Sequence, residues 1–410
     1  LLLGALVGVG IRETTDAKLA KIQGSYAGQE AVLTAEVESI GAYGAGRVSA
    51  VLMVEKVDGE AVHFRMECAS LPKCEAGGRI RGRFSLDVPD ATQRLDYYAD
   101  GIALSAEYLS GMLRLGPSES FRARTARLQA ALSRALRKGM AENTGGVLAA
   151  MVVGDRSHLT TTLRSAYRGA GLSHVLVVSG LHVTIFCGLL DALPHKERER
   201  SRAYRRSLLR AGTALLLVGI TGATPSVLRA AVAVWVSSLG VWVGGPADTL
   251  TSLGAAGVLM CLGNGYAVYD VGFELSFAAV MGTLAGAECA GRGRERYYDR
   301  KKKWKSRREK PPRAVLLFRR FAGGVWDSLC VSLCASAATF PVLVLRGMST
   351  TVWAVASGVA VLWLVGPMLS FGLGAALLGL AAEGLPLFEI IRRPVAFLAE
   401  GLAWLMNEWA

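Results

Sequence analysis

A few residues in this chain combine polar chemistry with an apolar setting. In GLSHVLVVSGLHVTIFCGLL (Gly171–Leu190), a long apolar run is broken at its centre by Ser179, Gly180 and His182, with His174 near its start. In GATPSVLRAAVAV, Pro225 and Ser226 open a helix and place Arg229 within its first turn or two. In YDVGFELSFAAV, Asp270 lies near one end of an apolar run, Glu274 stands one turn inside it and Ser276 lies nearby. Ionisable groups at bilayer depth are costly, so they face a protein interior or a water-filled route. Glycine lets backbones approach closely or a helix break. His174, Ser179, Gly180, His182, Arg229, Glu274 and Ser276 are therefore the candidate polar path. Arg229 and Glu274 are expected to pair or to line that path together. The alternative is that both snorkel to the interface from helix ends.

Ser179 and His182 also admit an enzymatic reading. They are three positions apart, hence on one helical face, and a serine beside a histidine is the pattern of a nucleophile and its base. An intramembrane serine hydrolase would need a third group to orient the imidazole, and an i, i+3 pair on one helix rarely presents Oγ to the ring correctly. Small residues in membrane helices serve mainly as packing contacts. The expectation is a protein that is not an enzyme. The five histidines (63, 158, 174, 182 and 195) are scattered, and no CxxC or HxH pattern occurs, so no metal or other cofactor is expected.

The elements that must position these residues follow from composition. Of 410 residues, 52% are hydrophobic and 19% charged, and the mean hydropathy is +0.35. That is too apolar for a soluble protein of this size. Charge concentrates before Gly145 and in two later stretches, 195–210 and 292–320. The pattern is that of a polytopic α-helical membrane protein carrying one soluble domain, with membrane lipid as its surroundings. The chain opens on LLLGALVGVG, about half of the ~20 residues a spanning helix needs. Residues 1–12 are expected to be the end of a transmembrane helix in a longer chain. A net charge of +13 suggests a nucleic-acid partner, but the positive-inside rule alone loads cytoplasmic loops with Lys and Arg. The two basic stretches are read that way.

Residues 25–112 read as a small β domain. AVLTAEVESI, RVSAVLMVEKV, AVHFRMECA and RIRGRFSLDV alternate or run apolar at strand length, separated by turn signals at 41–46, 58–59 and 75–78. This suits a small OB-like barrel. Such barrels bind single strands through basic grooves and stacking aromatics. Arg47, Arg65, Lys73, Arg79, Arg81 and Arg83 are the candidate DNA contacts, whereas aromatics are sparse: Tyr43, with Phe64 and Phe84 also fitting a core. Cys68 and Cys74 are positioned to form a disulfide if this domain lies outside the cell. The other five cysteines fall in or beside apolar runs, as packing residues do.

Residues 117–170 read as amphipathic or interfacial helices. The first is capped by Ser118 or Ser120, with Phe121, Leu128, Leu132 and Leu136 on one face. Residues 171–410 read as a transmembrane bundle with apolar runs at 174–191, 209–222, 226–243, 250–267, 271–288, 323–346, 351–366 and 368–382, and a last segment at 386–406. Four runs lie between the two basic stretches, so both stretches share one side. That side is cytoplasmic, and the β domain is then extracytoplasmic.

With those residues in place, the chain resembles the ComEC family, the inner-membrane DNA channel of natural competence. GLSHVLVVSGLHV (171–183), preceded by VVGDRSHLTTTLRSAYRGA, is similar to the family signature. TPSVLRAAVAV (224–234), the block at 248–284 ending GFELSFAAVMGTL, and 332–369 with its central proline are similar to three further family blocks in the same order. The resemblance implies import of single-stranded DNA across a bacterial inner membrane, beside other competence proteins and a separate nuclease, with a homo-oligomer left open. Two positions depart from the pattern: Asn264-Gly265 stands where the family has Asn-Pro, and Ser357-Gly358 replaces an Asn-containing element. The His-x-His-x-Asp-His motif of the metallo-β-lactamase-like domain found in many members does not occur in these residues. A transporter or channel for another solute or polymer remains the alternative.

Overall fold

The computed structural model describes residues 2–41, 47–191, 199–221, 225–244, 249–304, 313–348, 353–382 and 387–410. Tyr43, His195 with the start of the first basic stretch (192–198) and the centre of the second (305–312) lie outside them.

Five strands form the N-terminal sheet: β1 (Gln29–Gly41), β2 (Arg47–Val57), β3 (Glu60–Pro72), β4 (Gly78–Asp87) and β5 (Ile102–Pro117). The sheet closes on itself in the order β1-β2-β3-β5-β4. Every pairing is antiparallel except β3 with β5. Period-two alternation produces this arrangement. In β4, Ile80, Gly82, Phe84 and Leu86 turn inward while Arg81 and Arg83 turn outward. Phe64 and Phe84 are core residues, as their setting suggested. The β2–β3 turn is Asp58-Gly59, both with positive φ (48° and 98°), the geometry a two-residue hairpin requires. β5 runs five residues past the expected domain edge at 112.

The first helix, α1 (Leu2–Tyr26), is continuous, so the expected short segment 1–12 is only its first half. Its C-terminal end packs Leu19, Ile22 and Tyr26 against the sheet. A short helix, α2 (Arg94–Ala99), occupies the β4–β5 connection. α3 (Phe121–Arg137) begins at Ser120, whose hydroxyl accepts from the Ala123 N–H at 3.0 Å. The hydroxyls of Ser118 and Ser120 both donate to the buried Glu36 carboxylate, at 2.8 and 2.6 Å. This ties the helix start to β1. Only the second half of its apolar face is covered. Leu132 and Leu136 are buried, while Phe121 and Leu128 remain exposed.

The remaining helices are α4 (Glu142–Leu148), which runs into a π-helical turn at Ala149–Val153, α5 (Thr161–Gly169), α6 (Gly180–Asp191), α7 (Glu199–Ile220), α8 (Pro225–Val243), α9 (Thr249–Gly263), α10 (Val271–Trp304), α11 (Arg313–Leu345), α12 (Trp353–Ala382) and α13 (Leu387–Trp409). Two expectations need correction. The run at 174–191 is helical only from Gly180, because residues 171–179 form turns and bends. The runs at 351–366 and 368–382 are one helix, continuous through Pro367. Proline costs less within a packed membrane helix than in water-exposed ones, since neighbours re-satisfy the freed carbonyl. Among the described residues, three helices carry windows long and apolar enough to cross a membrane: Ser226–Val243, Ala322–Leu345 and Trp363–Ala382. α6 and α9 are shorter apolar helices.

A single apolar core joins α3, α4, the π turn, α6–α8, α12 and α13. α10 and α11 pack along one another. They meet closely at Gly282 and Gly286, one helical turn apart. A Cβ on Gly282 would lie 2.6 Å from the Cys334 carbonyl oxygen, and one on Gly286 would lie 2.6 Å from the Val331 Cα.

Candidate functional site

The site grows from the turn between α9 and α10. After Gly263 the chain makes a 3-10 turn at Ala267–Tyr269 and enters α10 through Asp270. The Asp270 carboxylate turns back onto the helix start, accepting from Gly272 N–H at 2.9 Å and Phe273 N–H at 3.1 Å. This is an N-cap, which satisfies amides the helix cannot. The same carboxylate accepts from Arg229 Nη1 at 2.9 Å. Arg229 sits in the first turns of α8, as the Pro225 signal implied, with 5% of its side chain exposed against 22% for Asp270.

The expected Arg229–Glu274 pair is not formed. Glu274 instead accepts two hydrogen bonds from Arg346 at the end of α11, from Nε at 3.1 Å and Nη2 at 2.7 Å. The physical reason is position along the helix axis. Asp270 lies at the helix mouth, where its carboxylate caps the helix and reaches α8, whereas Glu274, one turn on, meets α11. Arg346 Nη2 also donates to the Tyr269 carbonyl at 2.8 Å, and its Nη1 lies 3.5 Å from Asp96 of α2. Arg346 was not legible as a site residue, because its partners lie far away in sequence.

The same turn is the socket for the β domain. The Asn264 amide donates to the Tyr98 and Ala99 carbonyls at 2.8 and 2.9 Å, capping the end of α2. Tyr266 donates to Asp16 of α1 at 2.5 Å and packs edge-on against Tyr98. The Arg12 guanidinium lies over the rings of Tyr266 and Tyr269. Gly265, one of the two departures noted above, has a use here: a Cβ on it would lie 2.8 Å from the Arg12 Cα. Gly265→Ala is expected to push α1 off this turn and raise hydrogen exchange across residues 94–101 in the purified chain, with residues 225–243 unaffected. Unchanged exchange in the first segment would contradict the close packing. At the second departure, Ser357 is buried and Gly358 faces Ser332, so small side chains serve the α11–α12 contact.

Ser179 and His182 do meet, in a way their spacing left ambiguous. Ser179 precedes the first residue of α6 and His182 is its third. The His182 Nδ1 lies 3.1 Å from both the Ser179 N–H and the Ser179 Oγ. Since an N–H must donate, Nδ1 accepts, and the ring proton sits on Nε2. This is half of a capping box, with histidine in the usual glutamate position; the His182 N–H donates to the Ser179 carbonyl rather than to its hydroxyl. Nε2 is buried and has no hydrogen-bond partner among the described residues. Gly180 starts the helix against Ala230 of α8, whose Cβ would be 3.7 Å from an added methyl. His174 stays apart, donating from Nδ1 to the Gly171 carbonyl at 3.1 Å. Ser276 is half-buried on α10, outside the ion pairs.

In the β domain most of the expected DNA contacts are engaged within the sheet. Arg65 pairs with Glu38 at 2.8 Å and Arg83 with Glu30 at 3.0 Å. Arg79 pairs with Glu55, and Arg47 donates to Ser70 at 2.8 Å. Arg81 is exposed with no such partner among the described residues. The Lys73 carbonyl accepts from Arg114 at 2.7 Å. Cys68 and Cys74 are not bridged; both are buried free thiols. Burial pushes Cys74 up to about 11, so the thiolate needed for disulfide exchange is scarce at neutral pH. No group of three or more metal-ligating side chains occurs among the described residues.

Comparison with known proteins gives two matches. The family model described as Competence protein matches residues 151–410, more than half of the chain. ComE operon protein 3 of Bacillus subtilis (strain 168) is 36% identical over 134 residues, which are 32% of this chain and 17% of that protein. No solved structure matches.

Proposed function

The chain belongs to the ComEC family of competence proteins, and from that premise we propose that it is the multi-pass channel through which single-stranded DNA crosses the inner membrane. Membership in the family, together with apolar helices of spanning length, makes it a membrane protein with a role in competence DNA uptake. The channel itself is our reading. The observation that carries it is a set of polar groups inside the bundle: Arg229 with Asp270 and Glu274 with Arg346 where the bundle meets the β domain, and the Ser179–His182 cap, with its Nε2 unpartnered among the described residues, at the start of α6 where Gly180 approaches Ala230 of α8. Buried polar groups of this kind mark substrate pathways in membrane proteins.

α10 supports one orientation. Its first turn docks on the β domain, and its far end carries the basic run Arg292–Trp304. We read α10, from its length at about 1.5 Å per residue, as crossing the bilayer, which would put the basic end and the β domain on opposite sides. By the positive-inside rule the basic end is cytoplasmic. The β domain, an OB-like barrel in its strand order, is then outside and receives the strand. Other competence proteins and a nuclease on a separate chain would complete the machinery, and self-association of the bundle is compatible with it. The Ser179–His182 geometry favours helix capping over a hydrolytic dyad, since no carboxylate orients the ring among the described residues.

Arg229→Ala and His182→Ala are each expected to abolish uptake of labelled DNA in competent cells while leaving surface-bound DNA unchanged. Normal uptake by both variants at normal expression would refute these polar groups as the route.

A further inference from the structure

Two exposed arginines without partners among the described residues, Arg81 and Arg127, lie on one face of the β domain. We propose that single-stranded DNA is held by its phosphates along a track on the outer face of β2, β1, β4 and β5, running from Lys56 through Arg81 and Arg79 to Arg114 and Arg127. This rests on the reading of the chain as a DNA transporter and adds where the strand lies and how it is held.

Strand register builds the track. Lys56 pairs with Thr34, Thr34 with Arg81 and Arg81 with Leu113, which gives one outward row across four strands. Two hollows flank this row. One, of about 270 Å³, is lined by Lys56, Arg79, Arg81, Thr34 and Leu115 among others. The other, of about 350 Å³, lies between the β4–β5 ends and α3 and is lined by Arg79, Arg114 and Arg127, with Glu75 the single acid. Arg79, ion-paired with Glu55, lines both, so the two hollows are neighbours on one face. Arg81 and Arg127 are exposed with no partner among the described residues. Arg114 spends one Nη2 on the Lys73 carbonyl. α3 enters this cleft because the Glu36–Ser118–Ser120 contacts fix its start beside β4.

The face that OB-like folds commonly offer to oligonucleotides, strands 2 and 3 with the loop after strand 4, is occupied differently here. Its arginines are spent on Glu38 and Ser70, and the β4–β5 connection carries α2, which docks on Asn264 and Arg346 of the bundle. Neither hollow of the track is lined by an aromatic side chain. Base stacking, the usual source of single-strand affinity, is therefore missing, and the contacts are to phosphate.

The test is fluorescence anisotropy of an oligothymidylate, and of an abasic oligomer of equal length, against the purified full chain over a range of salt. Both oligomers are expected to bind with equal affinity. Arg81→Gln and Arg127→Gln should each reduce the slope of log K against log salt by about 0.7, the value for one lost phosphate contact on a single strand. Arg47→Gln should leave the slope unchanged. If the parent chain binds and the Arg81 and Arg127 variants keep its slope, or if the abasic oligomer fails to bind, the track is wrong and the DNA-transport reading stands. If the parent chain binds neither oligomer at low salt, that reading falls and the track falls with it.

Discussion

Asp270→Ala is expected to destabilise the purified protein by about 3–5 kcal/mol, the cost of breaking a buried ion pair from one side, and clearly more than Arg229→Met does. The inequality follows from what each change leaves behind. Removing Asp270 strands a guanidinium whose side chain is only 5% exposed and whose Nε already has no partner. It also uncaps α10, worth roughly another 1 kcal/mol. Removing Arg229 leaves a carboxylate that still accepts from the Gly272 and Phe273 amides and keeps some exposure. The double variant Arg229→Met with Asp270→Asn should recover most of the lost stability, because the two changes share one interaction and will not add. It should not recover DNA uptake if Arg229 serves the strand. Thermal melts in detergent give the first comparison and labelled-DNA import the second. Equal melting temperatures for the two single variants would show that the pair is solvated. Full uptake by the stable double variant would reduce Arg229 to a structural role.

The reason Asp270 was not singled out as the partner shows what sequence carries and what it does not. Helix depth was legible: Pro225 set the start of α8 and so the level of Arg229, and the YDVGFELSF pattern set the level of Asp270 and Glu274. Which neighbour each group meets was not, because within one turn at the start of α10 the partner changes from α8 to the end of α11. Arg346 stayed invisible for the same reason. The β domain was more open to reading, since strand alternation fixes inside and outside for every residue at once. RIRGRFSLDV therefore announced its three outward arginines, but not that Arg79 and Arg83 would meet Glu55 and Glu30 on neighbouring strands. Pro367 misled in the opposite direction. A proline in an apolar run signals a break in water, and here packing carries α12 through it.

Gly286→Leu is expected to separate α10 from α11 and abolish accumulation of folded protein. Hydrophobic burial cannot drive two helices together in lipid, so close van der Waals contact between small residues does that work. Gly282 and Gly286 have the four-residue spacing that lets a neighbouring backbone lie in the groove between them. Here the neighbour is the Cys330–Ala335 stretch of α11, whose backbone atoms stand 2.6–3.0 Å from where the new Cβ atoms would be. Those contacts are to backbone, which cannot swing aside as a side chain can. Even Gly286→Ala must move one helix bodily, so it should lower the melting temperature, with leucine worse. Because α10 carries both Asp270 and Glu274, its displacement would also dissolve their ion pairs and the socket of the β domain. Gly323→Ala and Gly291→Ala are the controls. Nothing lies within 4 Å of a Cβ at either position, so an added methyl there should cost nothing, and helix propensity favours it. Gly286→Leu protein that accumulates, melts and imports DNA like the parent would show that the α10–α11 contact is not what holds this half of the bundle together.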